Sequence, residues 1–260
     1  MTAAAATLDP RTTLARPDLA EQVLEGVVRA ATYRAARPMH CAVAVADIDA
    51  ERVAGAAPLD QLIFGETFDV LLDEDGRLWG QARRDGVVGW IDAAALSDGA
   101  PLPTRTVTDP GAVLPLNALV TDADQVGSSQ IGDFSDDPVA VAQTLLGVPH
   151  RLGGRTPAGT DCSGLVQQAL YACGRAGPRY ADQQAELGQP VERSAVRRGD
   201  LAIWLNAEES PWNGHSAFVL DEDRVLHASG THGAVVIEDL AGAEARYRAS
   251  GFTGPVFRRL

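Results

Sequence analysis

The sequence predicts an α+β protein made of two units of different class: a small antiparallel β-barrel, then a helix packed on an antiparallel sheet. Three observations carry this prediction. Short strand-like stretches separated by turn signals run from Cys41 to about Leu96. Apolar residues at helical spacing, Leu165, Val166, Ala169, Leu170 and Cys173, follow a glycine-rich loop. Four more strand-like stretches, LAIWL, HSAFVL, RVLHAS and AVVIEDL, come after that helix. A chain of 260 residues has room for one large unit or two small ones. Its 45% hydrophobic and 22% charged residues exclude disorder as the main state.

Residues 1–31 read as an N-terminal helical extension, because DLAEQVLEGVVRAAT is amphipathic, with Asp18 as a possible N-cap and Arg29 late. Residues 32–98 read as the barrel: CAVAVADI, QLIFGETFDVLL, RLWGQAR and VVGWIDAAAL are divided by turns such as Asp75-Gly76 and Asp85-Gly86. Residues 99–135, rich in Pro, Gly, Asp and Ser with one strand-like stretch near Leu114 to Val120, read as a linker or a truncated second β unit. Residues 136–260 form the second main unit. Pro138 suits the first position of a helix running to Leu146. A glycine-rich loop then ends at Asp161-Cys162, and Gly174 closes the helix that follows.

The formal charge is −13, from 22 basic and 35 acidic residues, and every basic residue is Arg. The absence of Lys excludes a Lys nucleophile, a Schiff base and a P-loop lysine. The acidity argues against nucleic acid and anionic membranes as partners, since both need a basic surface. No basic-then-apolar leader opens the sequence, and no run reaches the ~18 apolar residues that span a bilayer. The expected location is therefore the cytoplasm. On one helix, Cys162 and Cys173 would lie roughly 16 Å apart, beyond the reach of a disulfide. Reduced thiols are expected at Cys41, Cys162 and Cys173. Without CxxC or HxxxH spacing, neither a metal nor another cofactor is expected.

Cys162 is the candidate nucleophile. At a helix N-terminus, partial positive charge and unpaired N–H groups favour a thiolate, and the same amides can hold an oxyanion. The bland alternative is a small buried hydrophobe. Cys173, near the helix end, and Cys41, before an apolar strand, read as structural. A thiol nucleophile needs a base, and the base needs an orienting partner. His215 and His227 lie in consecutive strands joined at Asp221-Glu222-Asp223. An odd-numbered loop puts them on one face, opposite or diagonal; a two- or four-residue loop puts them on opposite faces.

The blocks TDCSGLVQQAL, RRGDLAIW and GHSAFVLDEDRVLHAS resemble the NlpC-type cysteine peptidases, a bacterial papain-like group. The resemblance spans about residues 137–260. It implies a papain-like catalytic domain with Cys162 as nucleophile, His215 as base and His227 as polar third member. QLIFGE followed by DGVVGW resembles the SH3-like domain of enzymes that cut γ-D-glutamyl-diamino acid bonds in small wall peptides. That branch implies a small muropeptide substrate with a free N-terminal L-Ala. It also implies substrate contacts from Glu66, Asp161 and Ser163, since carboxylates beside the cleft would pair with the ammonium. Glu66 as a solvated strand-end acid and Asp161 as a plain N-cap are the alternatives.

Three departures stand out. The family's PYxWGG loop reads here Pro149-His150-Arg151-Leu152-Gly153-Gly154, so an imidazole at His150 would replace a tyrosine hydroxyl beside the oxyanion donated to by Cys162 N–H. The family's DGYxG has Val87 at the tyrosine position, which donates no hydrogen bond. The Pro-Arg-Asp segment becomes Pro178-Arg179-Tyr180. The expected activity is muropeptide cleavage in wall recycling. An amidase or acyltransferase on the same fold, or a weakened muropeptide-binding module, are the competing readings. Arg151, Arg155 and Arg179 are the candidate cations for the fragments' carboxylates.

Overall fold

Tight turns fold the first unit. Asp75 and Gly76 both have positive φ, 51° and 79°. That geometry closes a two-residue hairpin whose twist matches the strands on either side. The computed structural model describes residues 8–121, 127–206 and 214–260. The chain divides into two units, Met1–Pro103 and Thr104–Leu260.

In the first unit, β1 (Leu19–Glu21) pairs in parallel with β2 (Thr32–Arg34). The remaining strands are β3 (Arg37–Cys41), β4 (Val45–Asp49), β5 (Pro58–Ile63), β6 (Thr67–Glu74), β7 (Arg77–Ala82), β8 (Val88–Asp92) and β9 (Leu96–Asp98). They form a seven-stranded sheet in the order β5-β4-β8-β7-β6-β3-β9. Every pairing in it is antiparallel. Leu62, Ile63, Phe68, Leu78 and Ile91 fill its core, and Val87 is fully buried there.

The helical extension expected over residues 1–31 is not found among the described residues. Residues 1–7 lie outside them; residues 18–32 form β1, a single 3-10 turn at Gln22–Leu24 and the approach to β2. Gly26, at φ 83°, breaks the helical path. Leu19 and Ala20 are buried while Val23 and Val27 are exposed, so burial follows the strand and not the helical stripe.

The second unit opens with β10 (Arg105–Val107), β11 (Leu119–Val120) and β12 (Ser128–Gln130), a three-stranded sheet in the order β11-β10-β12. The stretch 99–135 therefore carries a small β unit, with residues 122–126 outside the description. Asn117 ties it to the rest of this unit by donating from Nδ2 to Gln168 O at 2.9 Å. Helix α1 (Pro138–Gln143) is capped by Asp137, which accepts from Val139 and Ala140 N–H. The short hairpin β13 (Arg155–Thr156) and β14 (Gly159–Thr160) leads into α2 (Cys162–Ala172), and α3 (Ala181–Gln184) follows.

The main sheet comprises β15 (Gln189–Val191), β16 (Leu201–Leu205), β17 (Gly214–Val219), β18 (Arg224–Ser229), β19 (Ala234–Asp239) and β20 (Val256–Arg259). Its order is β15-β20-β16-β17-β18-β19. Alternation along these strands buries both faces. Leu165, Val166 and Ala169 of α2 pack with Leu201, Ile203, Phe218 and Leu226 on one face. On the other, Ala202, Trp204, Ala217, Val219 and Val225 meet α4 (Leu240–Ala249) through Leu240, Ala243 and Tyr247. Helix α4 was not foreseen, because EARYRA shows only a thin apolar stripe; Asp239 starts it by accepting from Gly242 N–H at 2.7 Å. Among the described residues, no helix is long and apolar enough to cross a membrane.

Candidate active site

Cys162 is the first residue of α2, and Asp161 is the N-cap, with Oδ1 accepting from Gly164 N–H at 2.8 Å. The other oxygen of Asp161 accepts from Gly153 N–H at 2.9 Å, which ties the glycine-rich loop to the helix start. The loop and helix approach so closely that a Cβ on Gly164 would collide with Gly154 O. That contact explains the glycine in DCSG, while a Cβ on Gly154 would collide with Gly159 O and Arg151 O. Cys162 N–H, at the start of the helix, has no intrahelical acceptor. The N–H groups of Ser163 and Ser216 approach the half-buried sulfur.

A cavity of about 290 Å³ opens over this helix end, lined by His150, Asp161, Cys162, Ser163, Tyr180 and His215 among others. The β17–β18 register, Phe218↔Leu226 and Val219↔Val225, leaves Asp221-Glu222-Asp223 as the turn. This is the odd-numbered case. Carried along the hairpin, that register puts His227 opposite Ala217 and diagonal to His215, on one face. His215 Nε2 lies 2.6 Å from His227 Nδ1. His227 is fully buried behind His215, which is 7% exposed.

Of the expected substrate-contact residues, Asp161 and Ser163 line the cavity, but both are already engaged. Arg179 donates to Asp161 through Nη1 at 3.0 Å and Nη2 at 2.6 Å, and to Ser163 Oγ at 3.0 Å. Asp161 and Arg179 are 1% and 0% exposed. Glu66 belongs to the first unit, where it is buried, accepts from Ile63 N–H at 3.1 Å and pairs with Arg84 at 2.9 Å. Among the candidate cations, Arg155 and Arg179 are interior residues and Arg151 is exposed. His150 lines the cavity beside Gly230.

Three contributors escaped the sequence reading. Tyr247 of α4 stacks on His215, with ring centroids 4.3 Å apart, and its hydroxyl lies 2.8 Å from His215 Nε2. Glu238 Oε1 lies 2.9 Å from His227 Nε2. Arg246 is in turn paired with Glu238. The strand-parity argument that related His215 to His227 extends to Glu238: β18 pairs with β19 as His227↔Val236, so Glu238 falls two residues along on the same face. Nothing comparable in the sequence marks Tyr247.

Two domain models match the chain: the NlpC/P60 family over residues 147–253, and the bacterial dipeptidyl-peptidase Sh3 domain over residues 52–96. The chain carries an NlpC/P60 domain. It is 35% identical over 91 residues to the murein DD-endopeptidase MepS/murein LD-carboxypeptidase of Escherichia coli K12, covering 35% of this chain and 47% of that one. It is 29% identical over 119 residues to the gamma-D-glutamyl-L-lysine dipeptidyl-peptidase of Bacillus subtilis, covering 46% of this chain and 40% of that one. The matched stretches thus span about half the length of these relatives or less. An NlpC/P60 family protein from Bacillus cereus superposes with a TM-score of 0.67 at 16% identity, over 85% of this chain and 99% of that one, and so shares the fold. That fold is the papain-like arrangement preceded by an SH3-like unit.

The charge state of the NlpC/P60 centre differs from the expected helix-stabilised thiolate. Burial, with the Asp161 carboxylate next, pushes the Cys162 thiol up to about 12 despite the Ser216 and Ser163 amides. Burial, reinforced by His227, His150 and Arg246, holds His215 well below the ordinary 6.5. The resting pair is therefore neutral thiol and neutral imidazole, and the proton must move as the sulfur attacks. The depressed value keeps His215 in its base form at acid pH. The kcat/KM for a peptide substrate is expected to stay level as pH falls through 6.5 and to decline only below it. A half-maximal rate at 6.5 would show that His215 titrates as an unperturbed imidazole.

Proposed function

We propose that this protein is a cytoplasmic cysteine endopeptidase that hydrolyses the γ-D-glutamyl-diamino acid bond of small peptidoglycan peptides bearing a free N-terminal L-Ala, in wall recycling. The observation that carries the chemistry is Cys162 at the start of α2, sharing a cavity with His215, whose Nε2 is tied to His227. The substrate class rests on the pairing of this domain with a dipeptidyl-peptidase Sh3 domain, and on the name of the Bacillus subtilis relative.

In this reading, His215 takes the Cys162 proton as Sγ attacks the γ-D-Glu carbonyl carbon. The Cys162 N–H, with the His150 ring, holds the resulting oxyanion. Collapse of the intermediate breaks the C–N bond, and His215 passes its proton to the leaving amine. Water, deprotonated by His215, then releases the acyl group and restores the thiol. His150 at the usual tyrosine position favours a second reading, in which an amine and not water accepts the acyl group.

The test is a mass-spectrometric panel of L-Ala-γ-D-Glu-diamino acid peptides with the N-terminus free or acetylated. Cleavage of the free peptide, with at least ~10-fold loss on acetylation, is expected. Equal cleavage of both would refute the free-amine requirement, and transfer to an added amine in preference to water would favour the second reading.

A further inference from the structure

Three strands carry one polar line. His215 in β17, His227 in β18 and Glu238 in β19 lie on the same sheet face, under α4. His215 Nε2 is 2.6 Å from His227 Nδ1, and His227 Nε2 is 2.9 Å from Glu238 Oε1. The His227 Nε2–H is not aimed along the line to Oε1, so this last contact is electrostatic more than a straight hydrogen bond. A carboxylate at that distance still requires a proton on the facing nitrogen, because a lone pair there would repel it. Resting on the thiol-imidazole reading above, we propose that Glu238 is a positioning residue of the centre. Its carboxylate keeps the proton on His227 Nε2, so that His227 Nδ1 accepts from His215 Nε2 and His215 keeps its Nδ1 lone pair for the Cys162 proton.

The surroundings make this assignment self-consistent. Glu238 faces His227 from β18, His232 from the β18–β19 turn at 2.8 Å, and Arg246 from α4. Against the desolvation that would raise it, these three neighbours hold the carboxyl well below the usual range, so it stays ionised. His215 faces His227, His150, Tyr247 and the Cys162 cavity. With a proton on His215 Nε2, the Tyr247 oxygen can share it as a second acceptor. The reverse assignment, a proton on His227 Nδ1, would turn the His227 lone pair toward Glu238 and leave the His215 proton on Nδ1, where it cannot serve as base.

Glu238 and Arg246 also join β19 to α4, so loss of activity alone would not separate positioning from simple support. Their charges separate the two roles. The Glu238 carboxylate favours a proton on the histidine pair, and the Arg246 guanidinium opposes it. The experiment is the pH profile of iodoacetamide alkylation of Cys162 in the full chain, read by peptide mapping against Cys173, for wild type, Glu238→Gln and Arg246→Met. Base assistance by His215 gives wild type an acid limb. Glu238→Gln should move that limb down by about 0.5–1 pH unit and lower the plateau ~10-fold, while Arg246→Met should move it up. A merely structural salt bridge would give both variants the same change. Limbs that stay in place, or shift in the same direction, overturn the role of Glu238. A wild-type profile with no acid limb and no preference for Cys162 over Cys173 overturns the assisted-thiol reading itself, and the inference with it.

Discussion

Cys162→Ala is expected to reduce cleavage of the γ-D-glutamyl peptide by at least about 10⁴-fold, with the fold intact. The thiol is the acyl acceptor in the proposed reaction, and alanine leaves nothing at the helix start to form the covalent intermediate. His215→Ala should cost roughly 10²–10⁴-fold, the usual contribution of a positioned proton-transfer group. The two losses should not add in the double variant, since each removes the same nucleophilic step. Steady-state kinetics on purified proteins, with circular dichroism to check folding, measures this. Wild-type activity surviving either change would exclude the mechanism. The neutral resting state sharpens the expectation for His215. A thiol pushed up to about 12 does not ionise unaided at neutral pH, so the base is needed in every turnover.

The second large effect concerns stability. Arg179→Met is expected to lower the stability of the C-terminal unit by about 3–5 kcal/mol, because it strands the buried Asp161 carboxylate without its bidentate partner. For a domain of this size that corresponds to a fall in Tm of roughly 6–20 °C. Asp161→Asn should be harmful for the converse reason, leaving the Arg179 guanidinium buried and unpaired. The double variant Asp161→Asn/Arg179→Met should recover part of the loss. Calorimetry of all three variants measures the coupling, and single-variant effects that simply add would show that the pair is not a unit. Function follows from the same contact. Asp161 caps α2 and ties down Gly153, so its partner also holds the helix start that carries Cys162.

Much of the centre was legible in the sequence for local reasons. The glycine loop ending in Asp161-Cys162 and the helical spacing after it mark a nucleophile at a helix start. The apolar runs of LAIWL, HSAFVL, RVLHAS and AVVIEDL mark strands. Both depend on near neighbours. The N-terminal stretch misled because its apolar spacing suits a helix, while Gly26 and the pairing of β1 with β2 impose another path. The relation of His215 to His227 was narrowed to two cases by strand parity, and the three-residue turn selected one of them.

The sequence by itself determined the candidate nucleophile, the candidate base and four consecutive strands of the main sheet, because each is written in residue type and short-range spacing. Tertiary structure alone decided the rest. Asp161 is committed to Arg179, eighteen residues away, because the segment after α2 folds back under the helix start. Tyr247 reaches His215 and Arg246 reaches Glu238 because α4 docks on the far face of the sheet. The thiol and imidazole are both neutral at rest because packing removes them from water and sets a carboxylate and like charges beside them. Desolvation and long-range register have no short-range sequence signature, and here they set which proton sits on which atom.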